Sequence, residues 1–189
     1  FVTSKGTLFA ASDLGASYSK DGGYSWTPVN NEGFFLQGCW SVSVAGDNIL
    51  AGYNNGGNSG VFVSKDNTLT WQGSYPLRQI LSTQVTDNAT FITEGQLYRS
   101  LDYGTNWENL KVDTVFRNYF YLANTGQHLF VTASAVFNEF ELFRTNNKGA
   151  TWTKVKTNGL GTQRVNYLAS NKNKLFSVVH PSQDLYASS

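Results

Sequence analysis

Apolar residues recur at alternate positions in runs of four or five, and polar turns break the runs at short intervals. Strict alternation of this kind marks half-buried β-strands, and no segment keeps a helical period for longer than a turn. The runs come in groups of constant order. A first run (41–45, 81–85, 119–123 or 165–169) meets a polar turn (46–48, 87–88, 124–126 or 170–172), then a second run (49–53, 90–93, 129–132 or 175–179). A third run follows in three of the groups (60–63, 96–99 or 141–144), and a fourth starts at a tryptophan. Residues 1–3 and 8–11 supply the first two runs of an earlier group. The pattern predicts an all-β chain made of repeated four-stranded units.

One eight-residue phrase joins the third run to the fourth, at 19–26, 64–71, 100–107 and 145–152. Its constant members are Ser19, Asp21, Gly23 and Trp26, then Ser64, Asp66 and Trp71, then Ser100, Asp102, Gly104 and Trp107, and finally Thr145, Asn147, Gly149 and Trp152. The tryptophans are spaced 45, 36 and 45 residues apart, the period of a blade of four short strands. Each constant member has a structural reason. Asp or Asn folds its side chain back onto nearby backbone N–H groups, and the Ser or Thr hydroxyl closes the same hairpin. Glycine at the fifth place permits a positive φ. Tryptophan at the eighth is a wedge between neighbouring units. One carboxylate per copy falls far short of the roughly 6–8 oxygen ligands that Ca²⁺ takes, so the phrase predicts a turn and no metal.

Composition narrows the class. The chain has 14 basic and 13 acidic residues, a net charge of +1 and no block of like charge, so neither nucleic acid nor membrane insertion is expected. Aromatics reach 15 % and there are 18 glycines, which suits tight β-turns between packed strands. Cys39 is alone, which excludes an internal disulfide and predicts a small buried thiol. No cofactor is implied. Residues 185–189 align with 97–101, so a fifth phrase is expected to begin at Ser188. The missing methionine and the absence of a leader fit a mature, proteolysed or partial chain. A closed ring at this period needs roughly 260–350 residues, so the open ends are expected to be covered by further blades of the same chain or by a second copy.

The four phrases resemble the Asp-box, or BNR repeat, Ser-x-Asp-x-Gly-x-Thr-Trp, which marks the propellers of sialidases, sortilin-type receptors, xyloglucan-cleaving enzymes and a photosystem II assembly factor. The resemblance covers essentially the whole chain, residues 1–189, as a single partial domain. It implies a β-propeller of four-stranded antiparallel blades, here about four blades plus the start of a fifth. The departures are Thr68 for Gly, Asn106 for Thr, and Thr145 and Asn147 for Ser and Asp. A β-branched residue resists positive φ, which makes the second phrase the most altered. The style of the repeat is similar to that of large secreted or surface proteins of bacteria, so a secreted or cell-surface location is expected.

In a four-stranded meander the phrases share one face with the first-to-second turns. The second-to-third loops and the blade-to-blade connections share the other, where ligands usually enter. Candidate binding residues on that loop face are Phe35, Trp40, Asn55, Arg78, Arg117, Tyr119 and Arg164. Their chemistry suits stacking on a sugar ring or contact with a protein. A sialidase site needs an Arg-Ile-Pro segment and three arginines in register. The tripeptide is absent, and Arg78, Arg117 and Arg164 are out of register. Hydrolysis of the xyloglucanase type needs two carboxylates across a cleft; Glu32, Glu108, Asp113, Glu139 and Asp184 are available, and none lies in a matching motif. No catalytic residue is assigned. His128 and His180 have no partner at ligand spacing. Asn88-Ala-Thr90 has the form of an N-glycosylation sequon. The expected role is recognition or structural display, with a propeller glycoside hydrolase as the alternative.

Overall fold

The computed structural model describes residues 2–187 apart from 5, 30–37, 56–57, 67–69, 78–79, 87, 113–114, 116–117, 135–139, 158–163, 172–173 and 181–184. All the regular structure among these residues is β-strand. No helix is long and apolar enough to cross a membrane.

The strands form five antiparallel sheets in chain order. The first holds β1 (Val2–Ser4), β2 (Thr7–Ser12), β3 (Gly15–Ser19) and β4 (Thr27–Pro28). The second holds β5 (Cys39–Ala45), β6 (Asn48–Asn55), β7 (Asn58–Ser64) and β8 (Gln72–Leu77). The third holds β9 (Ser82–Val85), β10 (Thr90–Thr93), β11 (Leu97–Ser100) and β12 (Glu108–Leu110). The fourth holds β13 (Asn118–Asn124), β14 (Leu129–Ser134), β15 (Phe140–Thr145) and β16 (Thr153–Lys154). The fifth has three strands, β17 (Arg164–Ser170), β18 (Leu175–His180) and β19 (Leu185–Ala187). The first strands β1, β5, β9, β13 and β17 follow one another around the centre, each packed against the next. The molecule is a partial β-propeller ring of about five blades.

Both faces of the second strands are apolar where a sheet lies between two others, as the second, third and fourth sheets do. In β6, Ala51 joins Ala16 and Val29 of the first sheet, whereas its neighbour Leu50 joins Val85 and Ile92 of the third. The same alternation sends Val131 toward the third sheet with Phe91 and Leu97, and Leu175 toward the fourth with Ala123 and Leu142. The tryptophans just before the fourth strands of the second, third and fourth sheets face backward. Trp71 packs against the core shared by the first and second sheets, Trp107 against that of the second and third, and Trp152 against that of the third and fourth. Burying such a side chain is worth about 3–5 kcal/mol against truncation, so these wedges bind one blade to the next.

Hydroxyl groups tie the innermost strands together. Ser41 and Thr83 hydroxyls lie 2.8 Å apart across β5 and β9. Ser82 Oγ accepts the Leu122 N–H at 3.1 Å, and Ser170 Oγ donates to the Asn124 carbonyl at 2.7 Å. Each satisfies a backbone or hydroxyl group that the packed centre of the ring shields from water.

Candidate functional site

The four phrase turns share one hydrogen-bond scheme. Ser19 Oγ donates to Asp21 Oδ1 at 2.7 Å and accepts the Gly23 N–H at 2.8 Å. Asp21 then accepts the Ser25 N–H and hydroxyl. Ser64, Asp66 and Thr70 reproduce the carboxylate part of this scheme, and Ser100, Asp102 and Gly104 reproduce it all. Asn106, the departure from Thr, supplies its Nδ2 to Asp102 Oδ2 at 2.7 Å in place of a hydroxyl. In the fourth copy Thr145 donates to Asn147 Oδ1, which accepts the Thr151 N–H, so an amide does the carboxylate's work without charge. These bonds hold the Asp102 carboxyl down at about 2, led by the Asn106 N–H, and hold Asp21 lower still. Asp66 is lowered in the same way, chiefly by Thr70. All three carboxylates are thus committed to their turns. Thr68 lies outside the described residues.

Positive φ extends one place further than the glycine pattern implies. Gly23, Gly104 and Gly149 have φ of 97°, 89° and 80°, and the residues before them, Gly22, Tyr103 and Lys148, have 77°, 54° and 57°. The sequence marks only the fifth place, because only the first copy writes glycine at the fourth.

Of the binding candidates, Trp40, Asn55 and Arg164 lie at the loop ends of described strands. Trp40 is 62 % exposed and occupies a bulge between the paired residues Cys39 and Ser41. Its indole nitrogen lies beside Gly38, where an added Cβ would come within 2.3 Å of the Asn54 carbonyl oxygen. Gly38 also has a φ of 77° and links β2–β3 to β6, its N–H donating to Asp13 O and its carbonyl accepting the Asn54 N–H. The Asn54 side chain clamps the next connection, accepting the Ile80 N–H at 2.8 Å and donating to the Ile80 carbonyl at 3.1 Å. Asn55 ends β6 and pairs with Asn58 at the hairpin tip. Arg164 opens β17 opposite His180. Phe35, Arg78 and Arg117 lie outside the described residues, as do Glu32, Asp113, Glu139 and Asp184.

Tyr119 is corrected. It is 3 % exposed, joins the core between the third and fourth sheets, and accepts the Val112 N–H with its hydroxyl at 3.1 Å. Its place in the strand is that of Cys39 and Val165, which are also buried. The register explains the displacement. β13 and β17 each carry one extra residue, between Tyr119 and Leu122 and between Val165 and Tyr167. A bulge leaves an unpaired residue and re-aims its neighbours. Past the bulges Tyr167 is 68 % exposed and Tyr121 half-buried, their ring centroids 6.0 Å apart. The Tyr-Phe-Tyr run at 119–121 was a visible sign of aromatic enrichment, but nothing in it marks which member faces out.

Two other candidates have partners that explain them. Glu108 takes Arg99 Nε at 2.7 Å across β11 and β12. The Cys39 thiol is buried and pushed up to about 12 by that burial, so it is held as a neutral core group.

No protein-family model matches the chain, and no curated protein sequence does. Solved structures do match in shape. The chain superposes with a TM-score of 0.68 and 16 % identity on a glycoside hydrolase family 74 enzyme of Niastella koreensis, covering 97 % of this chain and 34 % of that one. A family 74 xyloglucanase from Xanthomonas campestris gives 0.62 and 15 %, over 96 % of this chain and 36 % of that one. YCF48 bound to D1 peptide gives 0.62 and 15 %, over 93 % of this chain and 59 % of that one. The chain thus spans about a third of the two hydrolases and little more than half of YCF48. At these identities the likeness defines the class of protein, a β-propeller, and nothing narrower.

Proposed function

We propose that this chain is a recognition module, a propeller of the Asp-box kind from a secreted or cell-surface protein, whose ligand is a glycan. The observation that carries the reading is the exposure of Trp40 and Tyr167 on first strands, when Cys39 and Val165 of the same strands are sealed in the core. Exposed flat aromatic groups suit stacking on the apolar face of a sugar ring. The Asp-box assignment is supported by the shared turn scheme in four copies. Its carboxylates serve the turns, and Glu108 serves an ion pair, so none of these is free for acid–base work.

A glycan array with the intact chain tests this directly. Binding of a defined oligosaccharide class is expected, and Trp40→Ala and Tyr167→Ala should each weaken it by about tenfold, or ~1.4 kcal/mol, with melting unchanged. Unchanged affinity in both variants sinks the reading. Binding only to peptides would make the module a protein receptor, and release of sugar from xyloglucan or a fluorogenic sialoside would make it a hydrolase.

A further inference from the structure

Each of the first three sheets catches the chain that enters the next one, and does so at the same place. Asp13, Asn54 and Gly95 lie five residues beyond Leu8, Ile49 and Thr90, which pair with the phrase residues Ser19, Ser64 and Ser100. From that place the Asp13 carbonyl accepts the Gly38 N–H at 2.8 Å, and the Gly95 carbonyl accepts the Tyr119 N–H at 3.0 Å. The second sheet departs from the scheme. Asn54 catches Ile80 with its side chain instead, accepting the Ile80 N–H and donating to the Ile80 carbonyl.

This exchange leaves the Asn54 main chain to Gly38. Its N–H donates to the Gly38 carbonyl at 2.8 Å, and its carbonyl oxygen lies 2.3 Å from where a Gly38 Cβ would stand. The same point lies 3.4 Å from the Trp40 indole nitrogen. Trp40 therefore rests beside a main chain that is held from both sides, by Asp13 and by Asn54. The far anchor is firm. Ile80 is fully buried, and its Cγ2 closes on Gly52, where an added Cβ would come within 2.5 Å. Gly52 in turn pairs with Ser41, the residue after Trp40.

We infer that Asn54 is a positioning residue for the binding platform: its side-chain clamp on Ile80 holds Gly38 and thereby fixes the pose of Trp40 before any ligand arrives. What Trp40 binds rests on the glycan reading; how it is held does not. A side chain fixed in advance loses less freedom on binding, so the clamp contributes to affinity without touching the sugar.

NMR of the 189-residue chain tests this without a ligand. Five tryptophans give five indole N–H resonances, and Trp40→Phe identifies that of Trp40. Asn54→Ala should move or split this resonance and leave those of Trp107 and Trp152, packed between later sheets, in place. Gly38→Ala, which sets a Cβ against the Asn54 carbonyl, should move it further. A Trp40 resonance unchanged in Asn54→Ala overturns the inference. The second readout is a double-mutant cycle with xyloglucan oligosaccharides as the probe. Asn54→Ala should weaken binding by about threefold to tenfold in the parent and by nothing further in Trp40→Ala. An equal loss in both backgrounds overturns the positioning role, since Asn54 would then act on the fold or on the sugar itself. A parent that binds no sugar defeats the glycan reading alone, and the indole resonance still decides how Trp40 is held. Asn54→Asp, which keeps the acceptor for the Ile80 N–H and loses the donor, replaces Asn54→Ala if the latter's circular dichroism departs from the parent's.

Discussion

The serine that begins each turn carries more than its size suggests. Ser100 is buried, donates to Asp102 and accepts the Gly104 N–H at 2.7 Å. Ser100→Ala strands that N–H and frees the carboxylate, and should cost about 1–3 kcal/mol in chemical denaturation. A loss below the error of the measurement would mean that the turn is held by packing alone. The acid response follows from the carboxylate. Because the folded Asp102 titrates at about 2, below its unfolded value, its contribution is complete above pH ~4 and is lost as pH falls toward 2. An NMR titration of the Asp102 carboxyl should place its midpoint in that window. Asp102→Asn keeps the acceptor for the Asn106 N–H without the charge, as Asn147 does naturally, and should remove this part of the acid dependence.

At the scale of the element, the hairpin is locally encoded but its tolerance depends on what lies behind it. Gly149 and Gly23 share a left-handed φ, yet only Gly149 presses on a preceding sheet, through Leu110 and Phe91. Gly149→Ala should therefore cost about 2–4 kcal/mol, combining backbone strain with overpacking, and Gly23→Ala only about 1–2 kcal/mol from the backbone. Equal losses in thermal melts would show that packing between blades adds nothing at this position. The first strands teach the opposite lesson about legibility. Their existence and apolar character are plain in the alternation, but the single-residue bulges in β5, β13 and β17 are not. One extra residue re-aims the side chains that follow it, so that Tyr119 and Val165 are core while Tyr167 is exposed and Tyr121 half-buried.

At the scale of the whole molecule, five sheets in an arc leave two apolar faces without neighbours inside the ring. Closed propellers bury both. Aromatic side chains reach solvent at both rims, Tyr24 and Trp26 in the first phrase turn and Trp40 and Tyr167 on first strands.

Taken by itself, the sequence determined the features whose causes lie within a few residues. These are the alternating runs, the Ser–Asp–Gly–Trp turns with Asn147 and Thr145 as fair substitutes, and the order of four blades and a fifth beginning. The tertiary structure alone decided which aromatic groups are core and which meet solvent. That depends on bulges, which are set by pairing to the next strand, and on whether another sheet stands behind a given one. Trp26 and Trp71 close the same phrase, yet the sheet before Trp71 makes it a half-buried wedge while Trp26 is exposed.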